Sequence, residues 1–419
     1  MKRIRLPVLA GLIFLVSIEA PAATPTPAPS TLPRDQQCAH IGMGLNSDLN
    51  GFVPFGANSP WNTDMSQTPV AQDSSTRITG YIERIGNNPS LLSDFGEIYG
   101  EPYNVVDSSK DYKQMMTIDG YPEESDLMPI PLPNTAAVEG GNQSCVPETD
   151  CHLFILDRNG CWLYETWQTR FDGETWKASS LAVWDLLNGN SRPYGWTSAD
   201  AAGLAIFPGL IRYDEVSRGV INHALRVTLS TSANSFVAPA THFAGKGTEN
   251  FPMGTRFRLK SGFDIAAFSL FDQVILTAMK KYGIILADNG LEFEVAGAID
   301  PRWSNDDVTG LTQIHLTDFE VLETGPQYTW GSMPVGKIPE IREFTASSLT
   351  VAPGTPVTLV WTQDPSAWYF IDVIGPVRGN SIVVTPTQTT TYTLNATNAY
   401  GRETQKVTVV VRGKTQITL

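Results

Sequence analysis

Most of the signatures that identify an enzyme from sequence are missing from these 419 residues. There is no G-x-S-x-G elbow, P-loop, H-E-x-x-H pair or glycine-rich dinucleotide fingerprint. The usual grounds for a serine hydrolase, a nucleotide hydrolase, a zinc protease or a dehydrogenase are therefore absent. Cysteine is scarce, at four residues, and no C-x2-C pair occurs, which argues against a thiolate zinc site. Basic residues are outnumbered 29 to 43, a balance that disfavours non-specific nucleic-acid binding and favours solubility. After Ile18 no stretch is long and apolar enough to span about 30 Å of hydrocarbon. No internal repeat is evident in the large central part of the chain.

What is present begins with an export pattern. Lys2, Arg3 and Arg5 precede an apolar stretch from Leu6 to Ile18, broken by Pro7 and Gly11, and Ala20-Pro21-Ala22 has the small residues that signal peptidase accepts. Residues 1–22 are expected to be a signal peptide, with no membrane insertion after its removal. Cleavage there takes three basic residues and Glu19 from the 29 and 43, leaving 26 against 42, a formal charge of −16. A Thr/Pro/Ala run, Thr24 to Pro33, follows, and residues 23–37 are expected to be an extended spacer. In a secreted or periplasmic setting Cys38, Cys145, Cys151 and Cys161 are expected in disulfides. Three pairings are possible; one of them joins Cys145 to Cys151 in a short loop and Cys38 to Cys161.

With 42 % hydrophobic residues, 35 Gly and 29 Pro, the composition is globular and rich in turns. Residues 38–323 carry no linker-like composition and are read as one large β-rich domain, a β-sandwich or jelly-roll with a few helices. Gly325-Pro326, Gly331, Pro334 and Pro339 mark a linker, 324–340. Residues 341–413 consist of short alternating runs with the spacing of antiparallel strands. Val357-Thr358-Leu359-Val360-Trp361, the Thr-rich run Thr385 to Leu394 and Asn395 to Gly401 resemble the Ig-like modules appended to many secreted bacterial proteins. That resemblance implies a β-sandwich and little about function. In the large domain Trp196 to Gly203, Pro208 to Glu215 and His223-Ala224-Leu225-Arg226 resemble a group of secreted bacterial proteins; the resemblance implies export and assigns no reaction.

Phe271, Val274, Ile275, Ala278 and Tyr282 recur at helical spacing before Gly283, which predicts a helix. A shorter helix is expected from Thr197, with Asp200 as its capping-box partner. The strongest local signal is a hairpin, His152 to Leu156 and Cys161 to Trp167 around Asp157-Arg158-Asn159-Gly160. Its parity puts His152, Phe154 and Leu156 on one face with Leu163, Glu165 and Trp167, and a four-residue loop sets His152 opposite Glu165. An acid on an apolar face has its charged form disfavoured, as a general acid requires. A buried structural ion pair produces the same pattern.

Glu165 is thus the first catalytic candidate, with Asp200 or Glu215 as second carboxylate for a glycoside hydrolase. Trp162, Tyr164, Trp167 and Trp196 are candidates for stacking on sugar rings. His152 and His223 are candidate bases for a polysaccharide lyase, in which Arg256 and Arg258, on one strand face, would grip a uronate carboxylate. No cofactor is expected, although a divalent metal at His152, His223 and His242 stays open. Export, aromatic content and the accessory module favour an extracellular polysaccharide as partner, either cleaved or, in a non-catalytic surface protein, only bound.

Overall fold

A computed structural model of the protein describes residues 32–110, 113–141, 145, 150–245, 247, 251–304 and 309–413. The expected signal peptide and most of the spacer lie outside these residues. The chain is mainly β with a few helices, and its strands form several sheets.

The first large sheet runs Gly44–Leu45, Tyr103–Val106, Leu153–Asp157, Trp162–Trp167, Ser180–Asp185. Phe154, Leu156, Leu163 and Trp184 face one core, while Leu153, Ile155, Trp162 and Tyr164 face a second. Cover on both faces explains why these strands read as nearly continuous apolar runs. The hairpin forms with Arg158–Cys161 as its loop, one residue later than expected. Asp157 steadies the turn by accepting from the amides of Asn159 and Gly160 at 3.1 Å each. Parity is as expected, but Glu165 pairs with Phe154 rather than standing opposite His152.

The second sheet has the order Phe319–Val321, Arg256–Leu259, Ile284–Asn289, Leu225–Leu229, Glu294–Ala296, Leu92–Asp94. Two of its pairings are parallel, Leu225–Leu229 with Ile284–Asn289 and Glu294–Ala296 with Leu92–Asp94. Leu225, Val227, Leu229 and Val295 enter the main core. The pairings Thr228 with Asp288, Thr228 with Glu294 and Ala296 with Asp94 set Arg226, Asp288, Glu294 and Asp94 together on the opposite face.

The expected helix spans Leu270–Lys281. Ser269 caps it by accepting from the Asp272 amide, and Lys280 and Lys281 sit in its last turn. Gly283 follows at φ +74°, where a Cβ would lie 2.5 Å from the Phe257 carbonyl oxygen, so only glycine turns the chain there. A second long helix, Ser74–Ile85, buries Ile78 and Tyr81. No helix begins at Thr197. There the Ser198 hydroxyl accepts from the Asp200 amide, and the Asp200 carboxylate turns instead to Arg226. At the N-terminus Arg34–Ala39 is helical, so residues 34–37 belong to an element rather than to the expected spacer.

Cys38 is bonded to Cys161 and Cys145 to Cys151. The first bridge ties the N-terminal helix to the end of the hairpin loop. The segment after residue 323 is anchored as well: Tyr328 exchanges backbone hydrogen bonds with Phe236.

The last block is a β-sandwich of a three-stranded and a five-stranded sheet around Leu359, Trp361, Ile371 and Leu394. It packs closely on the rest of the chain. Phe370 enters the core formed by Met128, Trp162 and Tyr164, and Arg402 pairs with the buried Asp126. Arg378 bonds to Asp185 at 2.7 Å and lies 4.0 Å over the Trp162 ring.

Candidate functional site

The polar face of the second sheet meets the start of strand Leu153–Asp157 and three loops, and ionisable groups converge there. Arg226 is at the centre. It grips Asp200 through two hydrogen bonds of 3.0 and 2.8 Å and approaches Asp288 at 3.6 Å. Asp288 also accepts from the Ala201 amide. Beside this group His152 presents Nδ1 to Glu101 Oε1 at 3.2 Å and to Glu139 Oε2 at 3.0 Å. Its other ring nitrogen, Nε2, donates to the Ala199 carbonyl at 3.2 Å. Glu139 is locked to the same strand end, because it accepts from the His152 amide and its own amide donates to the His152 carbonyl. Asp94, Glu294 and Asp150 complete the surroundings through their charges. Seven carboxyl groups thus surround one guanidinium and one imidazole.

These carboxyls do not titrate alike. Burial, then the neighbouring Glu139 charge, pushes Glu101 up to about 7. Burial and the Asp200 charge raise Asp288 well above the carboxylate range, and burial with the Asp94 charge raises Glu294 to about 7. Glu139 moves the other way, to about 2, because the His152 charge and its hydrogen bonds outweigh burial. His152 itself is raised, since Glu101 and Glu139 together overcome the cost of burying it. Asp288 and Glu139 also reach the surface, with side chains 21 % and 26 % exposed, whereas Asp200 and Glu101 are closed in. One carboxyl shifted up and one shifted down within a single cluster, both partly open to solvent, are what acid/base chemistry requires.

No protein-family model, curated protein or solved structure matches the chain.

Of the residues singled out by sequence, the cluster takes in His152 and Asp200. Glu165 lies elsewhere in function. It is fully buried and accepts from the Phe207 amide at 2.8 Å, the Ile206 amide at 3.0 Å and Trp184 Nε1 at 2.8 Å. Burial raises it to about 7 against those hydrogen bonds, but its job is to hold the turn Phe207–Gly209 against the first sheet. Glu215 and His223 form a separate closed network. Glu215 bonds Arg212 at 2.6 Å and His223 at 3.1 Å, and Arg212 with His223 keeps it ionised in spite of burial.

The stacking candidates separate too. Trp162 and Tyr164 are core residues, and Trp196 lies under Arg402 at the junction with the last sandwich. Trp167 alone of the four is beside the cluster: its Nε1 donates to Asp150 at 3.0 Å, and it contacts the exposed Tyr121. Arg256 and Arg258 are buried and committed, the first to the Tyr282 and Pro60 carbonyls, the second to Glu320 and the carbonyls of Met65 and Thr68. Neither is free to grip a uronate. The three histidines do not converge, since His242 bonds the Ala201 carbonyl and packs on Trp330.

Glu101, Glu139, Asp288 and Glu294 were not anticipated from sequence. Alternation along Leu225 to Leu229 puts Arg226 on the face away from the core, and a cation there needs acids from other segments. Which acids, only the register between distant strands decides. A cleft of about 560 Å³ is lined by Trp61, Trp184, Asn190, Arg192 and Ala205 and carries no acid.

Proposed function

We propose that the chain is an exported hydrolase of extracellular polysaccharide whose chemistry takes place at the Arg226 cluster. The observation that carries this reading is the splitting of the carboxyls: burial and the Asp200 charge favour the protonated form of Asp288, while the His152 charge favours the ionised form of Glu139, although the Arg226 charge acts on both. Asp288 would protonate the departing glycosidic oxygen, and Glu139 would take the proton from the attacking water. Trp167 and Tyr121 offer aromatic faces to a sugar at the rim. Export is supported by the N-terminal pattern and by two disulfides, which persist in oxidising compartments. A lyase reading loses ground because Arg256 and Arg258 are committed elsewhere.

The competing reading is a glycan-binding protein without turnover, and the acid-free cleft beside Trp61 and Trp184 favours it. The test is a reducing-end assay on a polysaccharide panel with the mature protein and its Asp288→Asn and Glu139→Gln variants. Each substitution is expected to lower kcat by at least about 100-fold while thermal stabilisation by the same glycan persists. Binding without turnover in the parent protein sinks the hydrolase.

A further inference from the structure

We infer that His152, Glu101 and Glu139 form a binding site for one divalent transition-metal ion. One ligand atom from each residue lies within 4.8 Å of the others, so the three can close on a single ion. Acidic clusters are common on protein surfaces, and two further observations set this one apart. The first is the orientation of the imidazole. Nε2 donates to the Ala199 carbonyl, which leaves Nδ1 as the atom facing two carboxylate oxygens. Three electron-rich atoms facing one another in a buried space repel unless a cation or a proton lies between them. A ring N–H fixed on a backbone carbonyl, with the other nitrogen turned to carboxylates, is how metal-binding histidines are held.

The second observation is Glu101 Oε2, which is buried and has no hydrogen-bond partner, while Glu101 as a whole is only 3 % exposed. A buried carboxylate oxygen left unpaired is costly. An ion held by both oxygens of the Glu101 carboxylate gives that oxygen a partner beside Oε1, which faces His152. Glu139 is the ligand that opens to solvent and so provides the way in. The excess of carboxylates around Arg226 draws cations toward the site.

One imidazole with two carboxylates suits Zn²⁺ or Mn²⁺ better than Mg²⁺ or Ca²⁺, which prefer oxygen alone. Binding replaces the proton that otherwise joins His152 to the two glutamates. If the hydrolase reading holds, the ion belongs to the same site: Glu139 turns Oε2 to His152 and the ion and would serve the attacking water through Oε1. The binding claim itself does not rest on that reading.

The experiment is titration of the chelator-treated full mature protein with Zn²⁺ and with Mn²⁺, followed by calorimetry and, for Mn²⁺, by pulsed electron paramagnetic resonance. The expected result is one ion per chain, a rise in Tm and a nitrogen coupling from one imidazole. His152→Ala is expected to abolish that coupling, and Glu139→Gln, at the partly exposed ligand, to weaken binding at least tenfold in a folded protein. Absence of binding at millimolar metal, or equal affinity in Glu139→Gln, overturns the site. Metal bound without turnover on any glycan removes the hydrolase reading and leaves the site, whereas turnover unchanged by chelation with no metal bound does the reverse.

Discussion

At the scale of single residues, Glu165 and Asp288 show that the same shift in proton affinity serves opposite ends. Both are carboxyls held above their usual range by burial, yet Glu165 is sealed among two backbone amides and an indole while Asp288 is partly open. The groups facing Glu165 are donors apart from the nearby Asp200 charge, which adds to the rise. Its effect on stability has a definite sign. The unfolded chain releases this proton near pH 4.3 and the folded chain near 7, so the folded state binds more protons in between, and stability falls as pH rises through that window. The loss is on the order of 3 kcal/mol. Glu165→Gln cannot titrate, so urea unfolding at pH 5 and pH 8 is expected to give a smaller pH difference than in the parent protein. An unchanged pH difference would refute the assignment.

Among the elements, the turn after the long helix is set by a single residue. Gly283 combines a left-handed backbone with a close approach to the Phe257 carbonyl. Gly283→Ala is therefore expected to cost at least about 1–2 kcal/mol, read as a lower midpoint in denaturant. An unaltered midpoint would mean the turn has another solution. The helix and its stop were legible because their signal is local, Phe271 through Tyr282 at one spacing and glycine next. The hairpin was legible for the same reason, and its parity placed Glu165 on the right face. The register was not, because moving the loop from Asp157–Gly160 to Arg158–Cys161 changes which residue stands opposite without changing the face. The helix Ser74–Ile85 escaped notice although Ile78, Tyr81, Ile82 and Ile85 have helical spacing. Ser74, Ser75, Thr76 and Gly80 are weak helix formers, and its stability comes from packing rather than propensity. At Thr197 a capping-box pattern misled, because the tertiary partner of Asp200 outweighed the local one.

The whole molecule is held at its junction by charges that leave water. Asp126 is fully buried and accepts from Arg192 at 2.9 Å, from Arg402 and from the Val183 amide. Together with Arg378 on Asp185, it fixes the last sandwich against the second core. Replacing both Arg378 and Arg402 by Ala is expected to cost about 3–5 kcal/mol and to split one calorimetric transition into two. A single, unshifted transition would show that Phe370 and its apolar neighbours suffice. Nothing in the Ig-like pattern of that block announced this attachment, since the partners of Arg378 and Arg402 lie some two hundred residues or more away along the chain.

The Arg226 cluster draws on Asp94, Glu101, Glu139, Asp150, His152, Asp200, Arg226, Asp288 and Glu294, spread along the chain from residue 94 to residue 294. No short contiguous fragment contains it. Cutting the chain between Asp94 and Glu294, transplanting a loop or exchanging a segment with another scaffold therefore separates its members. Whatever the cluster does can be altered residue by residue, but it cannot be inherited in parts.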